Sequence, residues 1–594
     1  MLVHTQKGRF GFGLFSLTTG WLAALWLGAA ATGDDWPQFG RDGTRNAVSP
    51  EKGPPTAWDN GQHDEKTGEP IAGTTKNVKW RARLGTQTVG DPVVVDGLIW
   101  VGTNNPSLVP YDASIDASVL ACFRESDGKL LYRYVSPRLA GRYNNDWPYS
   151  SMACSPLIQG DRIWFVTNRA EVVCLDIGPL KQNVGDPRML WKVDLIEKYG
   201  VYPSGSRMTL MRLCSIAGYR DLIYVVTGNN LDVEKQQIVN PDAPSLLCLR
   251  KETGEEVWQD KSPGENILYG QSSSPTVVEV GTRAQCIVGQ GDGWVRSFDA
   301  LTGELIWRFD MNRKESKWFI GGGSTRNSVV ASPVFAEGRV YIAGGNYVEL
   351  GEGSGRLVCL DPTRQGDISS ELAVDAEDKI VPHRRIQAVD AARGEKAVPN
   401  PNSALIWEFE KAPEARDPFE DCMHRTVANV AVHNGLVVAC DWSGLVHCFD
   451  AATGKRHWAY DIMASVYASP LIIADKFYIA DESGWVSIFG LSSDPNLALR
   501  RLNGIAEPLH QIEMEDAVYC SPIFANGVLY LASKHELCAV VADRHQPPAS
   551  QAAGYWPQWR GPNRDNVSVD TGLMGEWPAE GPPRSWTAVG LGEG

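Results

Sequence analysis

The chain has 594 residues, of which 43% are hydrophobic and 21% charged, with 21 tryptophans and 59 glycines. That is the make-up of a globular protein. A formal net charge of −15, spread without acidic or basic blocks, excludes a nucleic-acid partner, which would require a basic face.

The first 31 residues read as an export signal. Lys7 and Arg9 supply the positive start, Gly11 to Ala31 is almost uncharged and apolar, and Ala29-Ala30-Ala31 offers small residues for cleavage. The apolar run also reaches the roughly 20 residues of a membrane helix, so an uncleaved anchor is the alternative. With no Cys before Cys122, a lipid-anchored N-terminal cysteine is excluded. A lead-in segment occupies residues 32–78 and contains Trp36-Pro37-Gln38-Phe39, Arg45-Asn46 and Val48-Ser49.

From residue 79 the chain repeats. Lys79-Trp80-Arg81-Ala82-Arg83 has the pattern of an outer strand and precedes the first full unit. Each unit opens on Ser-Pro or a relative: Asp91-Pro92, Ser155-Pro156, Ser215-Ile216, Ser274-Pro275, Ser332-Pro333, Ala428-Asn429, Ser469-Pro470 and Ser521-Pro522. Proline suits the start of an edge strand, where no ladder donor is needed. A short turn follows, such as Asp96-Gly97, Asn434-Gly435 or Asn526-Gly527, and then a strand rich in β-branched and aromatic residues. A second hairpin completes the unit. Its clearest copies are Asp441 to Trp458 and Gly291 to Trp307, with Thr-Gly four residues ahead of the ring. Tyr132, Trp191, Trp258, Trp307, Trp407 and Trp458 are the outer-strand aromatics, with a weaker candidate near His510.

Four antiparallel strands per unit, repeated eight times, predict an all-β, eight-bladed β-propeller over residues 79–542. Seven blades is the alternative count. The eighth unit has no outer strand after Cys538, so the N-terminal strand around Trp80 is expected to close the ring and remove two exposed edges. Two polar insertions interrupt the rhythm, Leu231 to Pro244 and Pro362 to Ser403, and read as surface flaps or disordered loops. After a linker at 543–554, the lead-in pattern returns as Trp556-Pro557-Gln558-Trp559, Arg564, Asn566 and Val567-Ser568. Residues 555–594 are therefore expected to be the truncated start of a second propeller, or else a tail packed on the first.

Cys122, Cys174, Cys248, Cys359, Cys448 and Cys538 fall at one place in the repeat. Equivalent places in successive blades lie too far apart to bridge, so these are expected to be buried thiols. The other six leave room for an isolated disulfide.

The repeated Ser-Pro, Gly-x-Val-x-Cys-Leu/Phe-Asp and Thr-Gly-x-x-x-Trp elements resemble those of the PQQ-repeat, or quinoprotein-like, propeller family. Within it the resemblance is to exported repeat proteins, distantly to the BamB-like members. Two functions follow from the resemblance. Some members are alcohol or sugar dehydrogenases holding pyrroloquinoline quinone (PQQ) with Ca²⁺ or a lanthanide on the axis; the BamB-like members bind no cofactor and serve as interaction platforms. The enzyme reading calls for an axial carboxylate and amide set, a catalytic Asp and often a vicinal disulfide. No adjacent Cys-Cys pair or Cys-x-x-Cys-His occurs, and no catalytic residue can be carried over.

Loops entering the inner strands ring one mouth of a propeller channel. They carry Asn145, Asp146, Trp147, Arg212, Tyr269, Trp318, Arg326, His424, Arg425, Tyr467 and Tyr519. Aromatics mixed with Arg and Asn suit a small anionic ligand or a peptide; the alternative is rim packing. No metal, Walker-type or nucleophile-elbow motif is present. The expected function is a non-catalytic, exported binding platform of the periplasm or cell envelope, without a cofactor. Its partner would be an envelope protein or small ligand, and it would touch the membrane only through an uncleaved anchor. The alternatives are a PQQ-dependent dehydrogenase and a carbohydrate- or peptide-binding module of a larger protein.

Overall fold

The computed structural model describes residues 35–542 apart from short internal stretches (63–70, 72, 106–107, 109–114, 140–148, 204–213, 233–234, 269–270, 320–323, 347–352 and 382–384). The expected export signal and the second lead-in pattern lie outside the described residues.

Eight antiparallel sheets form the propeller blades. Blade 6 shows the unit, with strand A Ala431–His433, B Leu436–Cys440, C Leu445–Asp450 and D Arg456–Asp461. Strand A of the other blades begins at Val93, Leu157, Ala217, Thr276, Val334, Leu471 and Ile523. The weak seventh outer strand is present as His510–Glu513, paired with Trp485–Gly490. Blade 8 takes its outer strand from the N-terminus: Val78–Arg83 runs antiparallel to Glu536–Val541. The ring closes as expected, and no blade is left with a bare outer edge at the seam.

Local chemistry explains why each repeat folds alike. At Asn434-Gly435 and Asn526-Gly527 both turn residues have positive φ (51° and 72°; 56° and 72°), the geometry of a tight hairpin turn that Asn and Gly tolerate. The outer-strand tryptophans then join blade to blade. The indole Nε1 of Trp80, Trp191, Trp258, Trp407 and Trp458 donates to Glu125, Lys251, Ala300, Ala451 and Ser492, each a carbonyl at or just ahead of the C–D turn of the next blade, at 2.9–3.0 Å. The turn glycines make room for the rings: a Cβ on Gly128, Gly254, Gly303 or Gly454 would lie 2.5–2.7 Å from the preceding blade's tryptophan. Trp307 reaches its neighbour through a relay, donating to Gln285 Oε1 while Gln285 Nε2 donates to Pro362 O.

The repeated cysteines sit across the ladder from these aromatics, as in Cys174 opposite Trp191 and Cys448 opposite Trp458. All twelve cysteines are free thiols, and burial pushes Cys154 up to about 11. Those of the repeat act as small apolar spacers between the sheets.

The insertion at 362–403 is ordered onto blade 4. Gly366–Asp367 adds a fifth, parallel strand beside Leu305–Asp310, and Glu371–Val374 pairs with Lys396–Pro399 as a hairpin. Leaving strand C of blade 5 at the turn end, it climbs the outside of blade 4 towards the opposite face. The other insertion holds a two-residue hairpin, Leu231–Asp232 with Gln237–Ile238.

Candidate functional site

The Ser-Pro element that opens each unit places its polar side chain against the axis. Backbone N–H groups of Ser155, Ser215, Ser274, Ser332, Asn429, Ser469 and Ser521 each donate to the side-chain oxygen of the equivalent residue in the next blade. The distances run from 2.7 to 3.1 Å, and the last acceptor is Asp91 Oδ1. This girdle ties all eight blades together and explains the irregular sixth copy, because Asn429 Oδ1 accepts as a serine Oγ does. Among the described residues, Asp91 is the only carboxylate lining the axial cavity. Burial pushes it up to about 7 despite the Ser521 hydrogen bonds.

The lead-in segment stops one end of this channel. Trp36 and Val94 exchange backbone hydrogen bonds, and Pro37, Gly43, Thr44 and Ala47 carbonyls accept from Ile158, Val277, Phe335 and Ile472. Asn46 exchanges two bonds with Val432, and Val48–Ser49 pairs with Ile472–Ile473. Arg45 is fully buried; its Nε donates to Pro275 O, Nη1 to Phe39 O and Nη2 to Ile216 O, at 2.7–3.1 Å. Phe39 lines the axial cavity itself, whose volume is about 70 Å³. The segment is thus a plug that satisfies the free edges of the innermost strands. Nothing in its sequence announced this, since the pattern offers no strand or helix period.

The other end, here the top, carries the B–C and D–A loops. Trp318 is half-buried and carries two guanidiniums, Arg326 at 4.6 Å and Arg385 at 3.8 Å from its ring centroid. Tyr467 and Tyr519 meet edge to face at 5.4 Å, and Trp442 stands against Tyr467 at 6.4 Å. His424 and Arg425 are buried rather than presented. His424 Nδ1 lies 2.9 Å from Asp441 Oδ2 and its ring packs on Phe419. Burial works to raise Asp441, but hydrogen bonds from His424 and His447 outweigh it and hold the carboxyl near 2. The mouth is therefore assembled from Trp318, Arg326, Tyr467 and Tyr519 among the predicted residues. Trp442 and Arg385 were not singled out from sequence; Arg385 belongs to an insertion whose path only the fold reveals. Asn145, Asp146, Trp147, Arg212 and Tyr269 lie outside the described residues.

Four large apolar side chains stand exposed at the top: Tyr149 (53%), Phe319 (48%) and Met463 (88%) on the loops, and Trp485 (37%) at the start of strand C of blade 7. Tyr149 and Met463 are held at φ 60° and 59°, each by a backbone N–H bonded to an aspartate, Asp116 and Asp461. A non-glycine residue pays for this conformation, and here the geometry turns an apolar side chain to solvent.

A quinone–metal pair on the axis does not fit the described residues. The axial cavity is far below the ~300–1,000 Å³ of a cofactor pocket. Asp91 is its lone carboxylate, all the thiols are free, and no cluster of three or more His, Cys, Asp or Glu among the described residues could hold an ion. A larger cavity of about 610 Å³ lies between blade 4 and the insertion. Its one aromatic, Trp294, already carries Arg308 and Arg296 at 4.9 and 5.8 Å, which leaves no clear platform.

Comparison with known proteins agrees with this architecture. The family model described as outer membrane protein assembly factor BamB matches residues 188–398 and 382–541, together more than half of the chain. The BamB of Yersinia pestis is 22% identical over 360 residues, covering 56% of this chain and 83% of its own length. That of Shewanella oneidensis is 20% identical, covering 41% of this chain and 66% of its own length. Among solved structures, the quinohemoprotein alcohol dehydrogenase of Comamonas testosteroni superposes with a TM-score of 0.53 at 12% identity, over 90% of this chain and 84% of its own, a likeness of fold.

Proposed function

We propose that this chain, which belongs to the family described as outer membrane protein assembly factor BamB, is a non-catalytic binding platform of the cell envelope that engages a protein partner with its top face. The observation that carries the proposal is the set of exposed apolar side chains at the top, Tyr149, Phe319, Met463 and Trp485. Isolated exposed apolar residues are ordinary, but several on one face of a rigid scaffold, beside Tyr and Arg, have the composition of a protein interface. The plug supports the same reading, because it closes the base and leaves the top as the accessible mouth. Export rests on the signal-like residues 1–31. The relatives are named for outer-membrane protein assembly; carried over, the partner would be an envelope protein.

Capture from an envelope extract on the full chain tests this. A specific envelope protein should be retained by the parent and lost from a Met463→Asp, Trp485→Ala variant of unchanged fold. Equal retention by both would move the interface elsewhere. Saturable PQQ binding with Ca²⁺ or La³⁺, or dye reduction with alcohols, would replace the platform by an enzyme.

A further inference from the structure

Arg326 is only 2% exposed, yet among the described residues no carboxylate pairs with it. Its Nη2 donates to Ile267 O at 3.2 Å, and its Nε is buried without a partner. Arg385, carried to the top by the insertion, likewise has a buried Nη1 with no partner among the described residues. The two carboxylates nearby are committed elsewhere. Asp292 forms a two-pronged pair with Arg296 at 2.6 and 3.0 Å, and Asp310 Oδ1 accepts from Asn312 N and Nδ2 at 2.8 and 2.7 Å. A buried cationic donor left unsatisfied is costly, because it has given up water and gained nothing in return. Two of them meeting on one ring, in a chain of net charge −15, call for an anion.

We propose that Arg326 and Arg385, which both lie over the Trp318 ring at the rim of the top mouth, form a binding site for a single carboxylate supplied by an Asp, Glu or C-terminus of the partner. The site rests on the platform reading above and supplies its polar anchor. Guanidinium forks match a carboxylate in shape and charge. A protein partner, as the platform reading has it, supplies such an anion as a carboxylate. Burial also works to lower Arg326; the Asp292 charge opposes this and the Arg385 charge adds to it, so a second anion would favour the charged guanidinium.

Calorimetric titration of the full chain tests the site with four probes: an acidic hexapeptide, its Asn/Gln counterpart, acetate and inorganic phosphate. The acidic peptide should bind at least tenfold tighter than the neutral one. Arg385→Gln, placed on the insertion where folding is least at risk, should abolish that difference. Arg326→Lys should weaken binding without unfolding the chain. Acetate binding that displaces the peptide would assign the carboxylate itself as the determinant. Acetate that binds without displacing it, acidic-peptide binding unchanged in Arg385→Gln, or phosphate binding in preference to carboxylate, would overturn the proposal. The two readings fail separately: envelope-protein capture unaffected by Arg385→Gln sinks the site alone, whereas Arg385-dependent peptide binding without any captured protein sinks the platform alone.

Discussion

Arg45 and Asp91 show how much a single side chain decides in a ring. Arg45 donates to carbonyls of the plug and of blades 3 and 4. Replacing it with Met leaves those buried acceptors without a donor, and a loss of about 3–5 kcal/mol is expected, read as a fall in thermal midpoint. Lysine should recover little, because a point charge cannot serve three directions. Asp91 works the other way. Its folded pKa is raised from 3.8 to about 7, so the fold holds it protonated. Its contribution is fullest below pH 4 and is lost as pH rises through 7. Asp91→Ser, which restores the girdle's usual acceptor, should therefore be more stable than the parent at pH 8 by about 1–3 kcal/mol. The gap should close towards pH 4 in paired thermal melts. The Ser-Pro dipeptide was legible as a strand start; that its hydroxyl belongs to an axial girdle was not, since the partner lies 40 to 97 residues away in the next blade, and 430 away at the closure.

Between neighbouring blades the Thr-Gly turn and the outer tryptophan form the repeated joint. Gly454 has φ 72°, and a Cβ there would meet the Trp407 ring at 2.5 Å. Gly454→Ala should destabilise by about 2–4 kcal/mol, through left-handed strain and overpacking together. Trp407→Phe should lose the bond to Ala451 O and cost about 1–3 kcal/mol. Urea midpoints of the two single variants and the double variant check the joint: because ring and glycine share one contact, the losses should fall short of additive. This element was readable because it recurs with fixed spacing. The insertion at 362–403 was not: it occurs once, carries no period, and takes its shape from pairing Gly366–Asp367 with an existing edge.

Closure turns eight marginal sheets into one molecule. Trp80, on the N-terminal strand of blade 8, donates to Glu125 O in blade 1 and packs near Tyr530 at 6.1 Å. Removing residues up to 83 takes away the plug and the outer strand of blade 8 together. Such a chain is expected to lose its single cooperative unfolding transition and to associate through the bare edge, as circular dichroism and gel filtration would register.

The repeat is written in the chain: the blade, its eight copies, the closing strand and the aromatic at each joint depend on local turns and on alternation over a few residues. What fills the axis and what crowns the mouth depend on the closed ring. The girdle, the plug and the meeting of Arg326 with Arg385 over Trp318 each join segments distant along the chain. Contacts of that kind carry no local pattern, and they come into being when the ring closes.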